Sequence, residues 1–311
     1  IEPLQSSSKM QAMQLSHSRS AMVAQRRSSR VAAARRSTTV CQAAAVAAKS
    51  VSGTMAELKK NKKVAFIPFI CAGDPDLATT EAALKKLDAI GADVIELGVP
   101  YSDPLADGPI IQGAATRALE KGTTLEKVIE MVRRVAPGMK APLVMFTYYN
   151  PIIRRGMDSF CKTISEAGAK GLLVPDIPLE ETPEVRRHCE KYGLELVLLT
   201  TPTTPQSRMK EIAQASQGFI YLVSVTGVTG VKENMESRVE GLVSMLHAVT
   251  DKPVSVGFGV SRPEHAAQIK AWGAEGVICG SALVRALGES KTPEEGLAAM
   301  EKLARSLRAA I

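Results

Sequence analysis

Long apolar runs, paired cysteines and suitably placed histidines are all missing from this 311-residue chain, and each absence removes a class of function. No run of 18 apolar residues occurs, so the sequence offers no membrane-spanning helix. The five cysteines (Cys41, Cys71, Cys161, Cys189, Cys279) are odd in number, scattered, and free of any Cys-x-x-Cys spacing. Neither a disulfide framework nor a zinc site is expected, and they read as reduced thiols in core or helix positions. Of the four histidines, His17 lies near the N-terminus, and His188, His247 and His265 fall in helical patterns rather than at strand ends. That argues against a Ser-His-Asp triad and against a histidine-bound catalytic metal. No lysine sits inside a strand pattern, where a Schiff-base amine would need to be desolvated. The single tryptophan, Trp272, follows a helical pattern and reads as packing.

Acid is nearly absent from the first fifty residues. They carry eight basic side chains against Glu2 alone, and the next acid is Glu57. The remainder holds 31 basic and 31 acidic groups, so the net charge of +7 belongs to this leader. The body shows no electrostatic footprint for nucleic acid. A Ser-, Ala- and Arg-rich leader without acid matches an organellar transit peptide, and it is too polar for a secretory signal. We therefore expect residues 1–50 to be a disordered transit peptide and 51–311 the folded domain. High Ser and Ala content favours the plastid stroma, with the mitochondrion as the alternative.

From Lys63 onward, short apolar runs alternate with amphipathic stretches. Strands are predicted at 64–71, 94–97, 143–146, 171–174, 195–199, 219–223, 254–257 and 276–279. Helices are predicted at 77–90, 125–135, 157–167, 182–191, 206–215, 236–249, 263–271 and 292–309. Such alternation gives a parallel sheet, because each right-handed crossover brings the chain back to the same edge. Eight units over about 250 residues match a single-domain (β/α)8 TIM barrel. The doubly wound alternative usually has a glycine fingerprint after its first strand, and here Cys71-Ala72-Gly73-Asp74-Pro75 follows instead.

A barrel places chemistry at the C-terminal ends of its strands. Residues 95–108 read Ile-Glu-Leu-Gly-Val-Pro-Tyr-Ser-Asp-Pro-Leu-Ala-Asp-Gly, with Glu96 inside the second strand pattern and Asp103 and Asp107 in the loop beyond it. A charge in a strand interior is expensive, so Glu96 needs either a partner or a task. Glu96 and Asp107 suit proton transfer from two sides of one substrate. Taken alone, the segment equally fits a buried ion pair for Glu96 and turn-capping aspartates. Asp74, Asp176 and the Tyr148-Tyr149-Asn150 run follow other strands onto the same face. Glycine-rich turns follow the last three strands: 226–230, then Gly257-Phe258-Gly259-Val260-Ser261, then Gly280-Ser281-Ala282. Glycines admit close backbone approach and helix N-termini attract anions, so the turns after strands seven and eight point to a bound phosphate. A phosphorylated small molecule worked on by carboxylates, with no metal and no cofactor, is the expected chemistry.

Several of these motifs together resemble one family over roughly residues 54–311. They are Pro68-Phe69-Ile70 with Gly73-Asp74-Pro75, the 95–108 run, Tyr149-Asn150-Pro151, Val174-Pro175-Asp176-Ile177-Pro178, 226–230, Gly257-Phe258-Gly259 and Gly280-Ser281. The pattern resembles the tryptophan synthase alpha subunit, with Cys71 as one mild departure where members often carry Thr. The resemblance implies retro-aldol cleavage of indole-3-glycerol phosphate to indole and glyceraldehyde 3-phosphate. It implies that Glu96 moves protons at indole C3 and at the glycerol hydroxyl, while Asp107 accepts the indole N–H. Phe69, Tyr148, Asn150, Tyr221 and Thr229 are the implied substrate-binding residues. Gly230, Gly257, Gly259, Gly280 and Ser281 are the implied phosphate donors, and Gly227 and Thr229 mark a lid. A pyridoxal-phosphate beta subunit is the implied partner, in an alpha2beta2 assembly docked near Pro104 and Asn150, with no pyridoxal site in this chain. Two alternatives share the motifs: a stand-alone indole-3-glycerol phosphate lyase, and a silent barrel that only activates its partner.

Overall fold

A computed structural model describes residues 50–224, 232–257 and 259–311, apart from the side chains of 232–237. Eight parallel strands close a barrel in chain order. They are β1 (Ala65–Cys71), β2 (Ile95–Gly98), β3 (Leu143–Phe146), β4 (Gly171–Leu173), β5 (Glu195–Thr200), β6 (Ile220–Val223), β7 (Val254–Gly257) and β8 (Gly276–Cys279). Closure comes from β1 pairing with both β2 and β8. A closed parallel barrel has no edge strand, and its strands are covered inside and out, so their apolar runs are near-continuous.

Alternation along each strand divides the core into two layers. Ala65, Ile67, Val94, Val144, Leu173, Val197, Phe219, Tyr221 and Ile278 fill the barrel interior. Their sequence neighbours, such as Phe66, Ile95, Leu143, Leu172, Leu196 and Val277, pack outward against the helices. Glu96 lies between Ile95 and Leu97, which face the helices, so it shares the inward parity of Val94.

The surrounding helices begin with α1 (Val51–Lys60), α2 (Leu77–Ile90), α3 (Pro109–Glu120), α4 (Leu125–Val135), α5 (Tyr149–Arg155) and α6 (Met157–Ala167). They continue with α7 (Thr182–Lys191), α8 (Gln206–Ala215), α9 (Lys232–His247), α10 (Pro263–Ala271), α11 (Ser281–Gly288) and α12 (Pro293–Ala309). Their boundaries follow capping chemistry. Asp76 accepts the Thr79 N–H at 2.7 Å to start α2, and Gly91 ends it in the left-handed region at φ 91°. Thr292 starts α12 in the same way, accepting the Glu295 N–H.

Every predicted strand is present within one residue of its expected ends, and seven of the predicted helices start and stop as expected or within one residue. The eighth, α9, begins four residues earlier and ends two residues sooner than its pattern suggested. Helices α1, α3 and α5 were not anticipated, and α11 was expected only as a helix start after Gly280-Ser281, without a range. α3 and α5 open with Pro109 and Tyr149-Asn150-Pro151, residues that read as loop when only the local pattern is considered. α1 is the informative omission. Its Val51 and Met55 are buried with the barrel-interior cluster, and Ser52 donates through both its N–H and its hydroxyl to the Glu195 carboxylate at 2.7 Å. Glu195 opens β5, so α1 stoppers the N-terminal mouth, and the opposite mouth is left for chemistry.

Candidate active site

The C-terminal mouth holds a cavity of about 730 Å³. Phe69, Asp107, Tyr221, Gly259, Gly280 and Ser281 all line it, which brings six of the sequence-predicted site residues around one cavity. Phe146, Leu199, Val223, Ile110 and Ile111 complete an apolar slot that the sequence reading did not name. Phe69 meets Phe146 edge to face, with ring centroids 5.2 Å apart. A second cavity of about 360 Å³ shares Pro175 and Leu199 with the first but contains none of the predicted site residues.

Glu96 stands directly across the β1–β2 ladder from Phe69. It is fully buried, and neither carboxyl oxygen has a hydrogen-bond partner among the described residues. Among the described residues there is no ion pair that would explain it structurally. Burial without a partner pushes its carboxyl up from 4.5 to about 8, so it carries its proton at neutral pH. Its charge and that of Asp107 both reach Tyr221, so the three groups are electrostatic neighbours in the same mouth.

Asp107 is housed differently. Burial raises its carboxyl to about 6, and a 2.9 Å hydrogen bond donated by the Tyr148 hydroxyl acts in the opposite direction. The same hydroxyl accepts the Ala106 N–H at 3.0 Å, which fixes the loop around the acid. At neutral pH the site thus offers one carboxylic acid and one carboxylate, the division of labour that acid–base catalysis needs.

Two glycines hold the aromatic rings in place. A Cβ at position 98 would stand 2.5 Å from the tip of the Phe69 ring, and one at 257 would stand 2.5 Å from the Tyr221 hydroxyl. Gly257 accordingly makes room for Tyr221 inside β7, while Gly259, two residues on, reaches the cavity. Tyr148 is buried behind Asp107 and does not line the cavity. Asn150 is exposed and connects outward, donating to the Tyr101 hydroxyl at 3.1 Å, and the Tyr101 ring stacks on Tyr148. Thr229 and Gly230, like Gly227, lie outside the described residues.

The other acids on this face are occupied. Asp74, 2% exposed, forms a bidentate pair with Arg117 at 2.8 Å, and Asp176 accepts the Tyr149 N–H at the start of α5. His188, His247 and His265 lie in α7, α9 and α10, away from strand ends. Cys71 is a buried, free thiol packed near Ala114 and Ala115.

A protein-family model described as tryptophan synthase alpha chain matches residues 55–311. The chain belongs to the tryptophan synthase alpha chain family. It is 56% identical over 261 residues to the alpha chain of Arabidopsis thaliana, covering 84% of this chain and 95% of that one. Against the alpha chain of Picosynechococcus it is 58% identical over 262 residues, covering 84% and 99%. Among solved structures, the alpha subunit of Legionella pneumophila tryptophan synthase superposes with a TM-score of 0.77 at 36% identity, covering 84% of this chain and 97% of that one. The aminoacrylate-bound tryptophan synthase of M. tuberculosis gives 0.75 at 34% identity, covering 85% of this chain and all of that one. The matched region takes in the 95–108 run, in which Asp107 lines the cavity, while Glu96 does not line it and stands across the ladder from Phe69, which does.

Proposed function

We propose that the protein cleaves indole-3-glycerol phosphate to indole and glyceraldehyde 3-phosphate, with Glu96 and Asp107 moving the protons. One observation carries the reading: Asp107, the Phe69 and Tyr221 rings, and the α11 N-terminus at Gly280-Ser281 share one cavity, and a protonated Glu96 lies buried across the β1–β2 ladder from Phe69.

Indole C3 leaves as a carbanion equivalent only with difficulty, so C3 must first take a proton. Glu96 supplies it, and positive charge develops on the ring nitrogen. The Asp107 carboxylate accepts the ring N–H and stabilises that charge. Glu96, now a carboxylate, removes the proton from the hydroxyl on the adjacent glycerol carbon. Those O–H electrons form the aldehyde C=O, the C3–glycerol bond breaks, and its electron pair restores the neutral indole. Each Glu96 proton given up is regained, so the site returns to its starting state. The apolar slot receives the bicyclic ring, and the amides at 259, 280 and 281 face the phosphate. The chemistry asks for no cofactor in this chain, and pyridoxal phosphate is assigned to the partner alone.

A beta-subunit partner and an alpha2beta2 assembly are the proposed context. On the catalytic face, Leu105 is 92% exposed and Ile153 52%, beside Asn150 and Tyr101; solvent-facing apolar groups of that size suit a docking surface. The acid-poor leader and the Arabidopsis relative support the plastid stroma as the location. A fusion of residues 1–50 to a fluorescent protein should be imported by plastids, and retention in the cytosol would refute that assignment.

The activity is tested by supplying indole-3-glycerol phosphate and measuring both products. Wild type should form them in equal amounts, and Glu96→Gln should nearly abolish the reaction while glycerol phosphate still binds. Retention of more than about a tenth of the rate by that variant would remove Glu96 from the chemistry. Strong activation by a beta subunit supports the synthase role, and full activity without one supports a stand-alone lyase.

A further inference from the structure

Among the described residues, the catalytic cavity has only two charged side chains on its wall, and they have opposite signs: Asp107 and Arg285. Asp107 precedes α3, while Arg285 lies within α11, four residues after Ser281. That spacing puts Arg285 on the same helix face as Ser281, and helical side chains lean toward the N-terminus. Arg285 thus joins the cavity wall from the helix that Gly280 and Ser281 open. Its ion pair with Glu289 is long, 3.8 Å, and its side chain is 60% exposed, so the pair holds it weakly.

Charge balance gives this residue a task. A phosphate monoester carries about −1.5 to −2 near pH 7, and a helix N-terminus offers the equivalent of about +0.5. Backbone amides alone leave more than one negative charge uncompensated in a cavity whose other charged group is an acid. We propose that Arg285 binds the phosphate of the substrate and, with Asp107 at the indole end, fixes which way round the molecule lies. This rests on the reading of the cavity as an indole-3-glycerol phosphate site. The contact exists equally in ground and transition states, so the loss on its removal should fall on KM rather than on kcat.

The test measures three quantities on the full chain: glycerol 3-phosphate affinity by calorimetry, indole affinity, and steady-state cleavage. Arg285→Gln should weaken glycerol 3-phosphate by about tenfold or more, the size of one lost charge-assisted contact. It should raise KM similarly and flatten the salt dependence of binding, while leaving indole affinity as in wild type. Arg285→Lys should restore most of the loss, because the positive charge is kept. Glycerol 3-phosphate affinity within twofold of wild type in Arg285→Gln overturns the proposal, as does an equal loss of indole affinity, which would mark a packing role. Failure of the wild type itself to cleave indole-3-glycerol phosphate would overturn the reaction assignment instead, whatever Arg285→Gln does to anion binding.

Discussion

Replacing Glu96 with Gln should destroy activity and, at the same time, make the protein more stable. Glu96 is fully buried without a hydrogen-bond partner among the described residues, and its carboxyl rises from 4.5 to about 8. The sign follows from proton linkage. Between about pH 4.5 and 8 the folded protein keeps a proton that the unfolded chain releases, so stability falls as pH rises through that interval. It is fully present below about 4.5 and levels off above about 8. Each pH unit in the interval is worth about 1.4 kcal/mol, which makes the penalty on the order of 3 kcal/mol at pH 7. Gln has nearly the same shape and never ionises, so it escapes the whole penalty. The variant and wild type should be similar near pH 5 and diverge steadily toward pH 8. At pH 7 the variant should melt roughly 6–12 °C higher, given the usual response of a domain of this size. Urea and thermal denaturation of both proteins at pH 5, 7 and 9 provide the assay. A stability difference that does not change with pH, or a Gln variant less stable than wild type at pH 9, would show that Glu96 is not a neutral acid in the folded state.

Further predictions concern neighbouring residues. The pH profile of kcat/KM should rise through about 6 as Asp107 ionises and fall beyond about 8 as Glu96 loses its proton. Tyr148→Phe removes the hydrogen bond that lowers the Asp107 carboxyl, so the acid limb should move to higher pH; an unmoved limb would contradict the pairing. Gly98→Ala places a methyl 2.5 Å from the tip of Phe69 and should push the ring into the cavity, raising KM for indole-3-glycerol phosphate by about tenfold or more in steady-state assays. Asp74→Asn breaks a bidentate pair whose acid is 2% exposed and should lower stability by about 2 kcal/mol in urea titrations, while a change below about 0.5 would mark the pair as incidental.

Much of the architecture was legible because it is written in local patterns. Apolar runs bounded by turns located all eight strands, and amphipathic stretches located eight helices, whose ends at Asp76 and Thr292 carry side-chain caps. Helices α1, α3 and α5 escaped because each begins against the local pattern, and their amphipathic faces make sense only once the barrel supplies something to pack on. Arg285 escaped for a related reason. Its signal, four residues after Ser281, is visible only when that stretch is known to be a helix opening onto the cavity.

The amino-acid order by itself determined the eight strands, eight of the helices, the Glu96–Asp107 motif, the glycine turns after the late strands and the charge asymmetry of the leader, because these depend on neighbours within a few residues. Closure of the barrel decided the rest. It left Glu96 buried without a partner among the described residues, gave Asp107 a hydroxyl from a residue 41 positions away, assigned Asp74 to Arg117, and divided Gly257 from Gly259 between ring packing and cavity wall. Those outcomes depend on burial and on contacts between distant segments, and burial is what turns one of two ordinary carboxyl groups into an acid at neutral pH.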